Sequence, residues 1–86
     1  MPTDLSMDDL ILRVVEIMIK ELKLEEVTPE TFDPDLDLVD ELGIDSMELA
    51  TVALLLQDEY GITVDEDDYP KLSNVRLIAT YIRDRL

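Results

Sequence analysis

The sequence predicts an all-α fold: a small antiparallel helical bundle of three main helices plus one short helix, with a long first loop. Three observations predict it. Apolar residues recur at helical spacing in three separate stretches. Residues suited to capping stand where those stretches begin. Strand signal is nearly absent, because Ile62 to Val64 is too short to count as one. At 86 residues the chain is expected to form one domain, 1–86, around a small core.

The first helix is expected from Ser6 to about Lys23. Met7, Leu10, Ile11, Val14, Ile17, Met18 and Leu22 form its stripe, which Val15 and Ile19 widen, while Arg13, Glu16, Lys20 and Lys23 fall mainly opposite. Ser6 reads as its cap, with Asp9 at N3 and Leu5 and Leu10 as a hydrophobic staple. From Leu24 to Ile44 no period is sustained. Pro29 and Pro34 punctuate this loop, and Asp33, Asp35, Asp37 and Asp40 stud it. Loops this long are usually functional or disordered. Phe32, Leu36, Leu38, Val39 and Leu42 favour a third reading, in which the loop crosses the bundle and pins itself with apolar side chains. A short helical turn fits near Asp37 to Glu41.

The second helix is expected from Ser46 to Tyr60, stopped by Gly61. Leu49, Val52, Ala53, Leu56 and Tyr60 form one stripe, and Leu54 and Leu55 fill the next sector, which predicts a central helix covered on most sides. Asp65 with Asp68 at N3 reads as a one-turn helix cut off by Pro70. Ser73 reads as the cap of the last helix, with Leu72 and Leu77 as its staple and Arg83 and Arg85 suiting its negative end. Its apolar positions are Val75, Leu77, Ile78, Tyr81, Ile82 and Leu86.

Composition excludes several functions. There is no cysteine for disulfide or thiolate chemistry, and no histidine, the commonest general base and metal ligand. Twenty-two acids against seven bases give a charge of −15, which argues against nucleic acid and anionic membrane as partners. Basic protein surfaces are the natural complement. At 47% hydrophobic residues the chain is too apolar for a disordered acidic tail. Neither a membrane span nor a signal-peptide pattern is evident, so a monomeric cytoplasmic domain without membrane insertion is expected.

The stretch from Leu42 to Leu49 carries the functional signal. With Asp45 as N-cap, Glu48 falls at N3 and completes a capping box, while Ile44 and Leu49 take the staple positions. Ser46 is then the first helical residue. Its hydroxyl is not needed to hold the helix, and the helix dipole there favours an attached anion. The competing register makes Ser46 itself the cap.

Catalysis by the chain itself is not expected, since no base accompanies any serine and no carboxylate pair is singled out. Metal binding is not expected either. Asp33, Asp35 and Asp37 imitate the opening of a calcium loop, but its glycine and bidentate-glutamate positions hold Leu38 and Ile44.

At Asp45-Ser46-Met47, after Leu42-Gly43-Ile44, the chain resembles the acyl carrier protein family of fatty-acid, polyketide and peptide synthesis. Those carriers bear a 4′-phosphopantetheine arm on the serine of an Asp-Ser-Leu motif opening their second helix. Met47 in place of leucine is close to volume-conserving. The likeness extends over roughly residues 6 to 85 in helix order, long first loop and acidic balance. It implies that a phosphopantetheinyl transferase, using coenzyme A and magnesium, esterifies Ser46, with Asp45 helping to align the hydroxyl. Acyl or aminoacyl intermediates then ride on the arm's thiol as thioesters. It also implies that Glu48, Asp58 and Glu59 meet basic patches on the loading and transferring enzymes. Thr51 and Gln57 stand where the fatty-acid branch often has acids, which points to a specialised carrier. Met47, Leu54 and Ile62 read either as plain core or as the border of a space sheltering an acyl chain. The alternative function is an unmodified acidic adaptor or mimic; the alternative subtype is an aminoacyl or peptidyl carrier.

Overall fold

The computed structural model describes residues 6–25 and 27–86. Among them are three α-helices, α1 (Met7–Leu22), α2 (Ser46–Tyr60) and α3 (Val75–Arg85), with a short 3-10 helix, Glu66–Lys71, before α3 and no strand. The expected all-α bundle with a long first loop is what the chain forms. Leu5, the proposed staple partner of Leu10, lies outside the described residues.

Local signals set most boundaries. The Ser6 hydroxyl accepts from the Asp9 N–H at 3.1 Å and opens α1. Gly61 takes a left-handed φ of 66° and ends α2, its N–H returning to the Gln57 carbonyl. Two expectations near the end of the chain need correction. Asn74, not Ser73, caps α3: its side-chain oxygen accepts from the Leu77 N–H at 2.8 Å. Leu77 is 44% exposed and forms no staple with the buried Leu72. The carbonyl of Ser73 instead accepts the Leu38 N–H at 2.8 Å, which fixes that residue outside the helix. The short helix is not cut off at Pro70 but continues to Lys71. The fixed φ of proline matches a 3-10 turn, so the ring is tolerated there. Asp65 precedes this helix without a side-chain capping bond.

The core is built mainly on α1 and α3, which pack against each other most extensively. Leu10, Val14, Val15 and Met18 meet Val75, Ile78, Ala79 and Ile82, and α2 adds Val52, Ala53 and Leu56. Burying each such side chain is worth about 1.5–3 kcal/mol. The first loop lies across the bundle as expected, burying Phe32 and Leu38 and partly burying Leu36 and Leu42, with Ile44 buried at its end; Val39, also expected to pin it, is instead 51% exposed. Its polar groups are satisfied locally. Asp37 accepts from the Val39 and Asp40 N–H groups at 3.0 and 2.8 Å, and Glu41 N–H returns to the Asp37 carbonyl at 2.9 Å. That is the short turn predicted near Asp37. Two further ties run to α3: Arg76 N–H donates to the Pro34 carbonyl at 3.0 Å, and its guanidinium pairs with Asp35 at 2.7 Å.

The expectation that α2 is covered on most sides is overturned. Met47, Thr51, Leu54 and Asp58 all face solvent, with Met47 78% and Leu54 57% exposed. At 3.6 residues per turn these four share one narrow sector of the helix. Apolar residues alternate with polar ones along it, so composition resembled a buried face where there is none.

Candidate functional site

The α2 N-terminus is closed by its own side chains. Asp45 Oδ1 accepts from the Glu48 N–H at 2.8 Å, and Glu48 Oε1 accepts from the Asp45 N–H at 3.3 Å. Both halves of the capping box are therefore present. Ile44 and Leu49, at the staple positions, are both buried. Gly43, with φ 68°, makes the left-handed turn that brings the chain into this register. Ser46 is exposed at the first helical position, and closing the helix falls to Asp45. Of the two registers open to the sequence, the one that frees the Ser46 hydroxyl is formed.

Beside Ser46 lies an open cleft of about 280 Å³. Val39, Ile44, Leu49, Tyr69, Pro70 and Leu72 give it a largely apolar lining, which Asp45, Ser46 and Ser73 complete. The three contributing segments are the end of the first loop, the start of α2 and the short helix with its exit. This is not the space expected from the sequence. Met47 and Leu54 are neither core nor lining but lie on the open face of α2, and Ile62 is half-buried elsewhere. The signal that was there to be read is Tyr69-Pro70 inside an acidic run.

The six proposed site residues fall into two groups. Asp45, Ser46, Met47 and Glu48 cluster at the start of α2, whereas Asp58 and Glu59 stand at its far end, about 18–20 Å along the axis at 1.5 Å per residue. Glu59 is engaged: its Oε2 lies 3.0 Å from both Nε and Nη2 of Arg13 on α1. The bond to Arg13 lowers the Glu59 pKa, and the Glu59 carboxylate raises that of Arg13. A larger groove of about 680 Å³ opens at this end, between α1 and α2, and is lined by Arg13, Glu16, Lys20, Asp58 and Glu59 with Ile17 and Leu55. It does not include Ser46.

The loop aspartates are occupied as well. Asp33 accepts from the Asp35 N–H at 2.9 Å, Asp35 pairs with Arg76, and Asp37 caps its turn. Among the described residues no group of three or more acidic side chains is arranged to hold a metal ion.

An all-helical bundle offering an uncommitted serine at the head of its second helix is the architecture of a carrier domain. The family model described as "Phosphopantetheine attachment site" matches residues 13–82. An acyl carrier protein of Thermotoga maritima is 32% identical over 83 residues, covering 94% of this chain and 96% of its own length. One from Desulforapulum autotrophicum is 34% identical over 74 residues, 83% of this chain and 96% of that protein. A meromycolate extension acyl carrier protein of Mycobacterium leprae is 35% identical over 63 residues, 70% of this chain and 55% of that protein. The chain belongs to the acyl carrier protein family, whose prosthetic group is a covalently attached 4′-phosphopantetheine. Family members in general do not catalyse reactions themselves; they are loaded by a phosphopantetheinyl transferase and served by acyl-handling enzymes.

Proposed function

We propose that Ser46 carries the arm and that the chain, a single non-catalytic monomeric carrier domain over 1–86, works in the cytoplasm. One observation carries this reading: the helix is closed by Asp45 and Glu48, so the serine hydroxyl is free for ester formation. The transferase joins the Ser46 oxygen to the phosphate of the arm, and the nucleotide half of coenzyme A leaves. The resulting phosphodiester sits at the positive end of α2, which favours it by about 0.3–1 kcal/mol when exposed. The thiol at the tip supplies the nucleophile that a chain without cysteine lacks, and forms the thioester with cargo. Tethering raises the effective concentration of that cargo at each partner site.

The apolar cleft beside Ser46 is the natural shelter for an acyl cargo, which supports the acyl over the aminoacyl subtype. Docking is best assigned to the open face of α2, where Met47 and Leu54 supply apolar contact and Asp58 supplies charge. Glu48 adds charge at the Ser46 end while serving the capping box. Glu59 contributes less than its position suggests, because Arg13 already neutralises it. Partner enzymes with a basic rim around an apolar patch fit this surface. No helix among the described residues is long and apolar enough to cross a membrane.

The test is an intact mass after incubation with coenzyme A and a broad-specificity transferase. The expected result is one added phosphopantetheine on the native chain and none on Ser46→Ala. A folded native chain with no added mass would favour the unmodified adaptor.

A further inference from the structure

The wall of the Ser46 cleft is held in an unusual way. The short helix Glu66–Lys71 has no buried side chain of its own, although it contributes Tyr69 and Pro70 to the cleft. Apolar packing anchors the segment through Val64 and Leu72 at its flanks and through the partly buried Tyr69 within it. Its polar attachment converges on one carboxylate. Asp68, with its side chain 15% exposed, accepts from the Tyr81 hydroxyl at 2.6 Å and lies 3.1 Å from Lys71 Nζ and 3.5 Å from Arg85 Nη2. The same hydroxyl accepts from the Asp65 N–H at 3.4 Å, and the Arg85 guanidinium stacks 3.4 Å over the Tyr81 ring. A segment with few buried contacts opens at low cost once its polar tie is released. With that tie intact the cleft stays near 280 Å³, just below the 300–1,000 Å³ typical of sites that enclose a drug-sized ligand.

We propose that Tyr81 and Asp68 are positioning residues that set how long an acyl chain the cleft shelters, by clamping the short helix as its wall. This rests on the carrier reading of Ser46. Short chains fit with the clamp closed. Longer chains must either displace the short helix, breaking the Tyr81–Asp68 bond, or remain in solvent.

The experiment loads the full chain from coenzyme A and from butyryl-, octanoyl- and dodecanoyl-coenzyme A, and compares retention on a hydrophobic-interaction column. For each variant, the shift of each acyl form from its own unacylated form reports how much of the chain is exposed. The native chain should show almost no shift for butyryl and a large one for dodecanoyl. Tyr81→Phe keeps the ring under Arg85 but removes the hydroxyl. It should load at the native rate while the octanoyl and dodecanoyl shifts shrink. Equal shifts in native and Tyr81→Phe proteins, or a butyryl chain already exposed in the native protein, would overturn the clamp while leaving the carrier reading intact. Failure of the native chain to load at all would remove both. A second measurement reads the clamp directly: in the unacylated proteins, amide exchange at 66–71 should be faster in Tyr81→Phe than in the native chain. Equal exchange would count against the clamp.

Discussion

The two ends of α2 are built from similar residues and do opposite things. At the first turn, two acids spend their carboxylates on the backbone, which releases a neighbouring hydroxyl and leaves an apolar cleft beside it. At the last turn, an acid spends its carboxylate on Arg13 of another helix, beside a wide charged groove. The lesson is that the availability of a side chain depends on which neighbour has already claimed it. Ser46 is available because Asp45 does the capping. Glu59 is less available because Arg13 lies within reach.

The sharpest way to break this contrast is Ser46→Ala. Loading should be lost completely, while stability changes by no more than about 0.5 kcal/mol, since the residue is exposed and does not cap. A clear drop in melting temperature would mean that the serine helps hold the helix after all. Next in size is Leu56→Ala, in the core and 2% exposed, which should cost about 2–5 kcal/mol. Both ends of α2 should then melt together in a single transition; separate melting of the two ends would make them independent units.

Asp45→Ala attacks the first end alone. The cap is worth about 1 kcal/mol, or roughly 4–8 °C in a domain of this size. Loading should slow in the same variant, because the Ser46 hydroxyl loses the register that presents it. Thermal melts and transferase kinetics on one preparation check both parts.

Glu59→Gln should have the smallest effect, since the ion pair is exposed and such pairs contribute little. Its signature is pH dependence. Arg13 lowers the folded-state pKa of Glu59 below its ordinary value near 4.5, so the pair contributes above that value and is lost as pH falls through the lowered one. The stability difference between native and variant should therefore be constant at neutral pH and vanish in acid. A difference that grows in acid would reverse the sign of the argument. Overall acid sensitivity is a poorer readout, because titrating a chain of charge −15 also relieves repulsion.

What the sequence revealed follows the reach of each interaction. The capping box at Asp45 and Glu48, the Ser6 cap and the Gly61 stop are contacts within a few residues, and spacing alone displays them. Ser73 and Asn74 are both good caps and adjacent. Choosing between them required knowing that Leu38, far away in the chain, takes the Ser73 carbonyl. Met47 and Leu54 look like core until the helices are placed and that sector of α2 proves unpartnered. The Arg13–Glu59 pair and the Ser46 cleft join distant segments, so no local pattern announces them. The resemblance located the serine; the fold had to supply its surroundings.

The bond from Leu38 N–H to the Ser73 carbonyl, with those from Arg76 to the first loop, has a practical bearing on protein engineering. Surface loops ordinarily accept inserted residues at little thermodynamic cost. Here the stretch from Pro34 to Ile44 behaves as a tie-rod, whose length fixes where α2 begins relative to α3. An epitope tag or fluorophore peptide belongs in the exposed Thr28–Thr31 turn, whose hydrogen bonds reach no farther than Phe32. The same graft a few residues later would shift Ser46 off its mount.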